Sequence, residues 1–270
     1  MPHLVRPDGV KIHWEERGSG PLVVLAPYAM AYPAVYDPLE AELVRDHRVV
    51  RYDDRGTGAS DRDGSFDMET GADDLEAVLD EVGRPSVLIA LGDAVHRAAR
   101  VTARRPDLVD ALIVPGGSPA GRKRLEDSDA LVASDSVVDA FLSMGATDYR
   151  GALRTAVSAA NPQMSDAELR ERVSRQVSYQ PQETVIPRWR AWAEDDATDA
   201  GRACGDRLWL LYSENMSGGW FPAGEEGRRL ARRLFPEAHV EEIEDGMISR
   251  PDVTGGFVRQ VTASARAATT

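Results

Sequence analysis

The sequence predicts an α/β fold: a mostly parallel sheet with helices on both faces, interrupted by a helical insertion. Three observations carry that prediction. Short β-branched apolar runs alternate with amphipathic helical stretches from about residue 22 to 117, and strands joined by helical crossovers pair in parallel. From about 122 to 200 the spacing is helical, with no strand pattern. Strand and helix patterns then resume at residue 208.

Val10–Glu16 alternates apolar and polar, the period of a half-exposed strand. The Gly18-Ser19-Gly20-Pro21 turn leads into Leu22–Ala26, an apolar run that suits a strand buried on both faces. Asp37–Arg45 has helical spacing, and Arg48–Tyr52 is the next strand. Thr70–Val82 is an amphipathic helix that buries Leu75, Val78, Leu79 and Val82. Ser86–Leu91 is a buried strand, Asp93–Arg105 a helix closed by Pro106, and Asp110–Val114 a further strand. In the insertion, helices are expected at Asp135–Ser143, Tyr149–Ala160, Ser165–Val177 and Pro187–Glu194, with Ser165 and Glu168 at capping-box spacing. Leu208–Tyr212 (strand), Glu225–Leu234 (helix), His239–Ile243 (strand) and Val253–Ala265 (helix) complete the pattern. The domain reading is a core over 1–120, a helical cap over 121–203 and the rest of the core over 204–270.

The 270 residues carry 42% hydrophobic side chains, too many for a disordered chain, and no apolar run long enough to cross a bilayer as a helix. The net charge of -13 disfavours nucleic acid and anionic membranes as partners. A single cysteine, Cys204, excludes an internal disulfide and a multi-cysteine metal site. The start has no apolar signal-peptide core, so a cytoplasmic protein is expected. Asp53-Asp54-Arg55-Gly56 looks like a tight structural turn, and Gly56-Thr57-Gly58 lacks the Lys-Ser or Lys-Thr of a phosphate loop. Neither a metal nor a cofactor is called for, and the expected partner is a small-molecule ligand or substrate.

The chain resembles the α/β-hydrolase family. The resemblance rests on the Gly18-x-Gly20-Pro21 turn before LVVLA, the segment Tyr52-Asp53-Asp54-Arg55-Gly56-Thr57-Gly58-Ala59-Ser60-Asp61, and the SVLIAL strand feeding a helix that ends Arg104-Arg105-Pro106. It implies an eight-stranded sheet and a cap. It also implies a nucleophile on the turn that reads Ala90-Leu91-Gly92-Asp93-Ala94, where Gly92 takes the nucleophile position. The acid position falls near Asn215 or Met216, with Glu214 the nearest carboxylate, and the base position falls at Met247. These three places, Gly92, Met216 and Met247, read as vacated triad positions. The oxyanion hole implied by the resemblance uses backbone at Asp93 and at Tyr28 or a neighbour.

Asp93 then has two readings. It caps its own helix and occupies the hole, or it faces the cavity as a base or hydrogen-bond acceptor beside His96 and Arg97 at i+3 and i+4. Tyr28, Glu214, Trp189 and Trp192 are candidates to line the pocket. The functional expectation is a protein without triad chemistry whose capped pocket takes an apolar small molecule, with a cofactor-free isomerisation, cyclisation or elimination as the candidate reaction. The alternatives are a non-catalytic ligand- or partner-binding pseudoenzyme and an atypical hydrolase that activates water through Asp93 and His96.

Overall fold

The computed structural model describes residues 2–29, 33–83, 86–125, 129–214, 221–244 and 250–268. Its strands are β1 (His3–Val5), β2 (Lys11–Gly18), β3 (Leu22–Leu25), β4 (Arg48–Tyr52), β5 (Ser86–Ile89), β6 (Val109–Pro115), β7 (Leu208–Tyr212) and β8 (His239–Glu242). They form one eight-stranded sheet in the order β1-β2-β4-β3-β5-β6-β7-β8. The β1–β2 and β2–β4 pairs are antiparallel, and every other pair is parallel. The predicted fold class is therefore present. One strand has no counterpart in the sequence pattern: β1 spans three residues, too few to display a period.

The helices outside the insertion are α1 (Asp37–Leu43), α2 (Met68–Val82) and α3 (Ala94–Arg104) before it, then α8 (Thr198–Ala203), α9 (Gly224–Leu234) and α10 (Pro251–Ala268). The strands' period of two sorts side chains into two cores. Leu22, Val24 and Leu88 pack with α2, α3 and α9 on one face. Val23, Leu25, Val87 and Ile89 pack with α1 and α10 on the other. Since β3 and β5 are buried on both faces, they lack polar alternation in sequence.

Between β6 and α8 lie α4 (Asp129–Thr147), α5 (Tyr149–Ala160), α6 (Asp166–Tyr179) and α7 (Gln182–Glu194), with no strand among the described residues. They enclose a third core that includes Phe141, Leu153, Leu169, Val173 and Ile186. Ser165 accepts from the Glu168 amide while the Glu168 carboxylate accepts from the Ser165 amide, the reciprocal cap its spacing predicts. Helix α7 starts five residues before the expected Pro187, which sits inside it. The proline removes one helical hydrogen bond. Burial of Val185 and Ile186 on one side of it and Trp192 on the other holds the helix through that position.

The α6–α7 segment rests on the loops at the carboxyl ends of β3 and β4. The Gln180 side-chain amide donates to the Tyr28 carbonyl (3.0 Å), and the Thr184 hydroxyl to the Gly56 carbonyl (2.9 Å). The insertion thus covers the end of the sheet where α/β folds place their ligands.

Candidate functional site

The central feature is the turn from β5 into α3. Gly92 has φ +53°, in the left-handed region that glycine enters without steric cost. The Ala94 and Val95 amides donate to the Leu91 and Gly92 carbonyls at 3.1 and 3.2 Å, so the chain reverses sharply and enters the helix at once. The N-terminus of α3 thereby stands at the end of the sheet's central strand, where the helix dipole favours negative charge. A Cβ placed on Gly92 would lie 3.3 Å from the ring of Tyr28. Tyr28 is therefore a wall of this turn. Its ring meets Tyr36 edge-on at 6.3 Å, and burial pushes its hydroxyl pKa up to about 12.

Asp93 is 1% exposed, and its side chain makes no capping bond to its own helix. One carboxylate oxygen accepts from the Ala29 amide at 2.6 Å, and the other from Arg97 at 3.1 Å. The loop after β3 thus already holds an anion on a backbone amide, and that anion is the protein's own. Burial raises the Asp93 pKa above the usual carboxylate range, while Arg97 and Arg188 oppose the rise.

Arg97 ties these pieces together. Its guanidinium donates to Asp54 (2.5 Å), Asp93 and the Pro27 carbonyl (2.9 Å) from a side chain only 2% exposed. Arg188 reaches down from α7 to the same Asp54 (3.2 Å) and to the Arg55 carbonyl (2.5 Å). Four segments share one buried charge network: the β3 loop, the β4 loop, the start of α3 and the insertion. The i+4 spacing of Asp93 and Arg97 is visible in sequence. Arg188 carries no such signal, because it lies 134 positions from its carboxylate partner.

The other candidates disperse. His96 is fully buried, with Nδ1 2.8 Å from Asp195 and its ring edge against Trp192. It faces the segment after α7 rather than Asp93, so the structure does not bring the expected Asp93–His96 pair together. Trp189 and Trp192 do share a face, with rings 5.7 Å apart. Trp192 packs into the main core, and Trp189 stacks edge-on with Phe141 at 4.5 Å. Glu214 is largely exposed and turns to Arg228 of α9 at 3.5 Å. Met216 and Met247 lie outside the described residues. Cys204 is buried, and burial pushes its thiol up to about 12.

The whole chain superposes on solved hydrolases. One is E-2-(acetamidomethylene)succinate hydrolase, with TM-score 0.71, 16% identity, and coverage of 96% of this chain and 99% of that one. The chain has the α/β-hydrolase fold. A second neighbour is the enol-lactonase from Burkholderia xenovorans LB400, with TM-score 0.69, 18% identity, and coverage of 97% and 98%. By sequence, the chain is 25% identical over 112 residues to 2-(acetamidomethylene)succinate hydrolase of Mesorhizobium japonicum. That match spans 41% of this chain and about two fifths (40%) of the curated relative's length. No family model matches. These neighbours overturn the expectation of a protein without hydrolytic chemistry, whether an isomerase, cyclase or lyase or a silent binder. That expectation rested on three positions, Gly92, Met216 and Met247, of which Met216 and Met247 lie outside the described residues. Backbone amides at such a turn do not depend on the side chain there, so the glycine does not by itself decide the reaction. Among the described residues no helix is long and apolar enough to cross a membrane.

Proposed function

We propose that the chain is a hydrolase of ester, lactone or amide bonds, with the scissile carbonyl seated at the Gly92 turn. The observation that carries this is the left-handed turn at Gly92, which delivers the N-terminus of α3 to the carboxyl end of β5 beneath the insertion. Acyl transfer concentrates negative charge on the carbonyl oxygen in its transition state, and fixed amides and a helix N-terminus stabilise that charge without reorganising. The hydrolases and lactonase that share the fold support the choice of reaction. Since Gly92 offers no oxygen, the attacking oxygen in this reading is water's. The cap helices hold the substrate and limit other water.

Catalysis from binding and backbone alone amounts to about 10³- to 10⁴-fold over water in enzymes stripped of their nucleophile. The expected result is hydrolysis at roughly that enhancement for at least one member of a panel of short-chain esters, acyl lactones and N-acyl amides, followed by pH-stat against a buffer blank. A serine-directed phosphonate should leave the protein's mass unchanged at Gly92 and its neighbours. No turnover above blank across all three classes would sink the proposal.

A further inference from the structure

The amide of Ala29, in the loop after β3, is already engaged by an anion. Asp93 Oδ1 accepts from it at 2.6 Å, and Asp93 Oδ2 accepts from Arg97 at 3.1 Å. The Asp93 carboxylate does not cap its own helix. Its backbone is helical, with φ -64° and ψ -25°, whereas a capping aspartate is extended. The side chain is spent instead on a neighbouring loop.

The place it fills is built for a single negative charge. Two guanidiniums, of Arg97 and Arg188, face two carboxylates, of Asp54 and Asp93. Arg97 also donates to the Pro27 carbonyl, and its buried Nε has no hydrogen-bond partner among the described residues. Donors here therefore outnumber acceptors. Take the Asp93 carboxylate away and one cation is left uncompensated, sealed from water, beside an amide with no acceptor. Both deficits are costly, and a small anion relieves both.

The same amide belongs to the Gly92 turn. A Cβ on Gly92 would meet the ring of Tyr28, the residue before Ala29. In the α/β-hydrolase fold the loop after this strand supplies one of the two amides that hold a developing oxyanion. Here that amide is taken. We propose that Asp93 is an internal plug: its carboxylate fills a monoanion site made by the Ala29 amide and the Arg97 guanidinium, and keeps small carboxylates and a substrate's oxyanion off that amide. The anion site stands on this geometry alone, and its effect on turnover rests on the hydrolytic reading above.

Size makes the site testable. Cutting the aspartate side chain between Cβ and Cγ leaves an alanine methyl and a formate. Asp93→Ala should therefore bind formate, and Asp93→Gly, which opens one carbon more, should bind acetate. Thermal unfolding of the full chain reads this, with potassium salts at matched ionic strength and butyrate as the oversized control. At tenfold above its Kd, the matching anion should raise Tm by about 3–5 °C. The native chain, with its plug in place, and Asp93→Ala/Arg97→Met, without the cation, should not respond. A variant that folds only in its matching anion counts as binding. No effect of formate or acetate on stability or on the fraction folded would overturn the assignment, as would equal effects of butyrate or an equal response in the double variant.

The rate of hydrolysis separates a plug from a strut. In Asp93→Ala, kcat/KM should rise about tenfold, and formate should lower it again. A strut predicts the opposite sign, with formate restoring a lost rate, and that result would overturn the plug. Formate binding without turnover in either chain would sink hydrolysis at the turn and leave the anion site standing.

Discussion

Arg97→Met is expected to cost about 3–5 kcal/mol of stability. Methionine keeps most of the stem's packing and removes the guanidinium, so the effect isolates the charge. Asp93 is fully buried with Arg97 as its one side-chain partner in the network, and Asp54 would keep Arg188 alone. Breaking a buried pair from one side leaves a carboxylate in a medium that cannot solvate it, which is why the loss far exceeds that of a surface pair. The comparison is Glu171–Arg175, an i,i+4 pair with both side chains more than 60% exposed. Removing that pair should change stability by less than about 1 kcal/mol. Urea titrations read both, as a shift in midpoint at constant slope. A loss below about 1 kcal/mol for Arg97→Met would mean that the network is a by-product of packing rather than a support for the β3 loop.

Gly18→Ala is expected to cost about 3 kcal/mol, from left-handed strain together with overpacking. Gly18 ends β2 with φ +75°, and a Cβ there would lie 2.2 Å from the His47 carbonyl oxygen and 2.9 Å from that of Val44. Both obstacles are backbone, fixed by the turn between α1 and β4, so neither can rotate away. Gly9 supplies the control, because it has φ +88° and a Cβ added there would meet nothing within 4 Å. Gly9→Ala meets only the backbone strain, about 1–2 kcal/mol. Thermal or urea unfolding of the two variants separates conformational strain from collision, and equal losses would show that the collision is relieved at no cost.

The sheet is legible in the sequence because its strands are either plainly alternating, as in Val10–Glu16, or short apolar runs flanked by turn signals, as in Leu22–Ala26. The Ser165–Glu168 cap and the Gly18 turn are legible for the same reason: each is a local rule with a local signature. The contacts that build the site are not local. Arg188 reaches Asp54 and Tyr179 reaches Asp53 across more than 120 positions, and only the placement of α6 and α7 on the β4 loop brings them there. His96 shows the converse. Helical spacing puts it near Asp93 in sequence, but its ring turns to Asp195, because a residue at i+3 can pack against a neighbouring segment instead of its helical companion. Reading function from the missing side chain at Gly92 fails for a related reason. The backbone geometry of that turn is a property of the fold and stands whatever side chain the position carries.

The most direct measurement is the hydrolysis rate of Gly92→Val beside that of the wild-type chain, on whichever ester, lactone or amide the chain turns over. Valine at a left-handed φ, with its Cβ 3.3 Å from the Tyr28 ring, crowds the turn where the proposed function seats the carbonyl. A folded variant, checked by circular dichroism, should lose at least about 1.4 kcal/mol of transition-state stabilisation, a tenfold drop in kcat/KM. Unchanged kcat/KM in that folded variant would contradict hydrolysis at the turn.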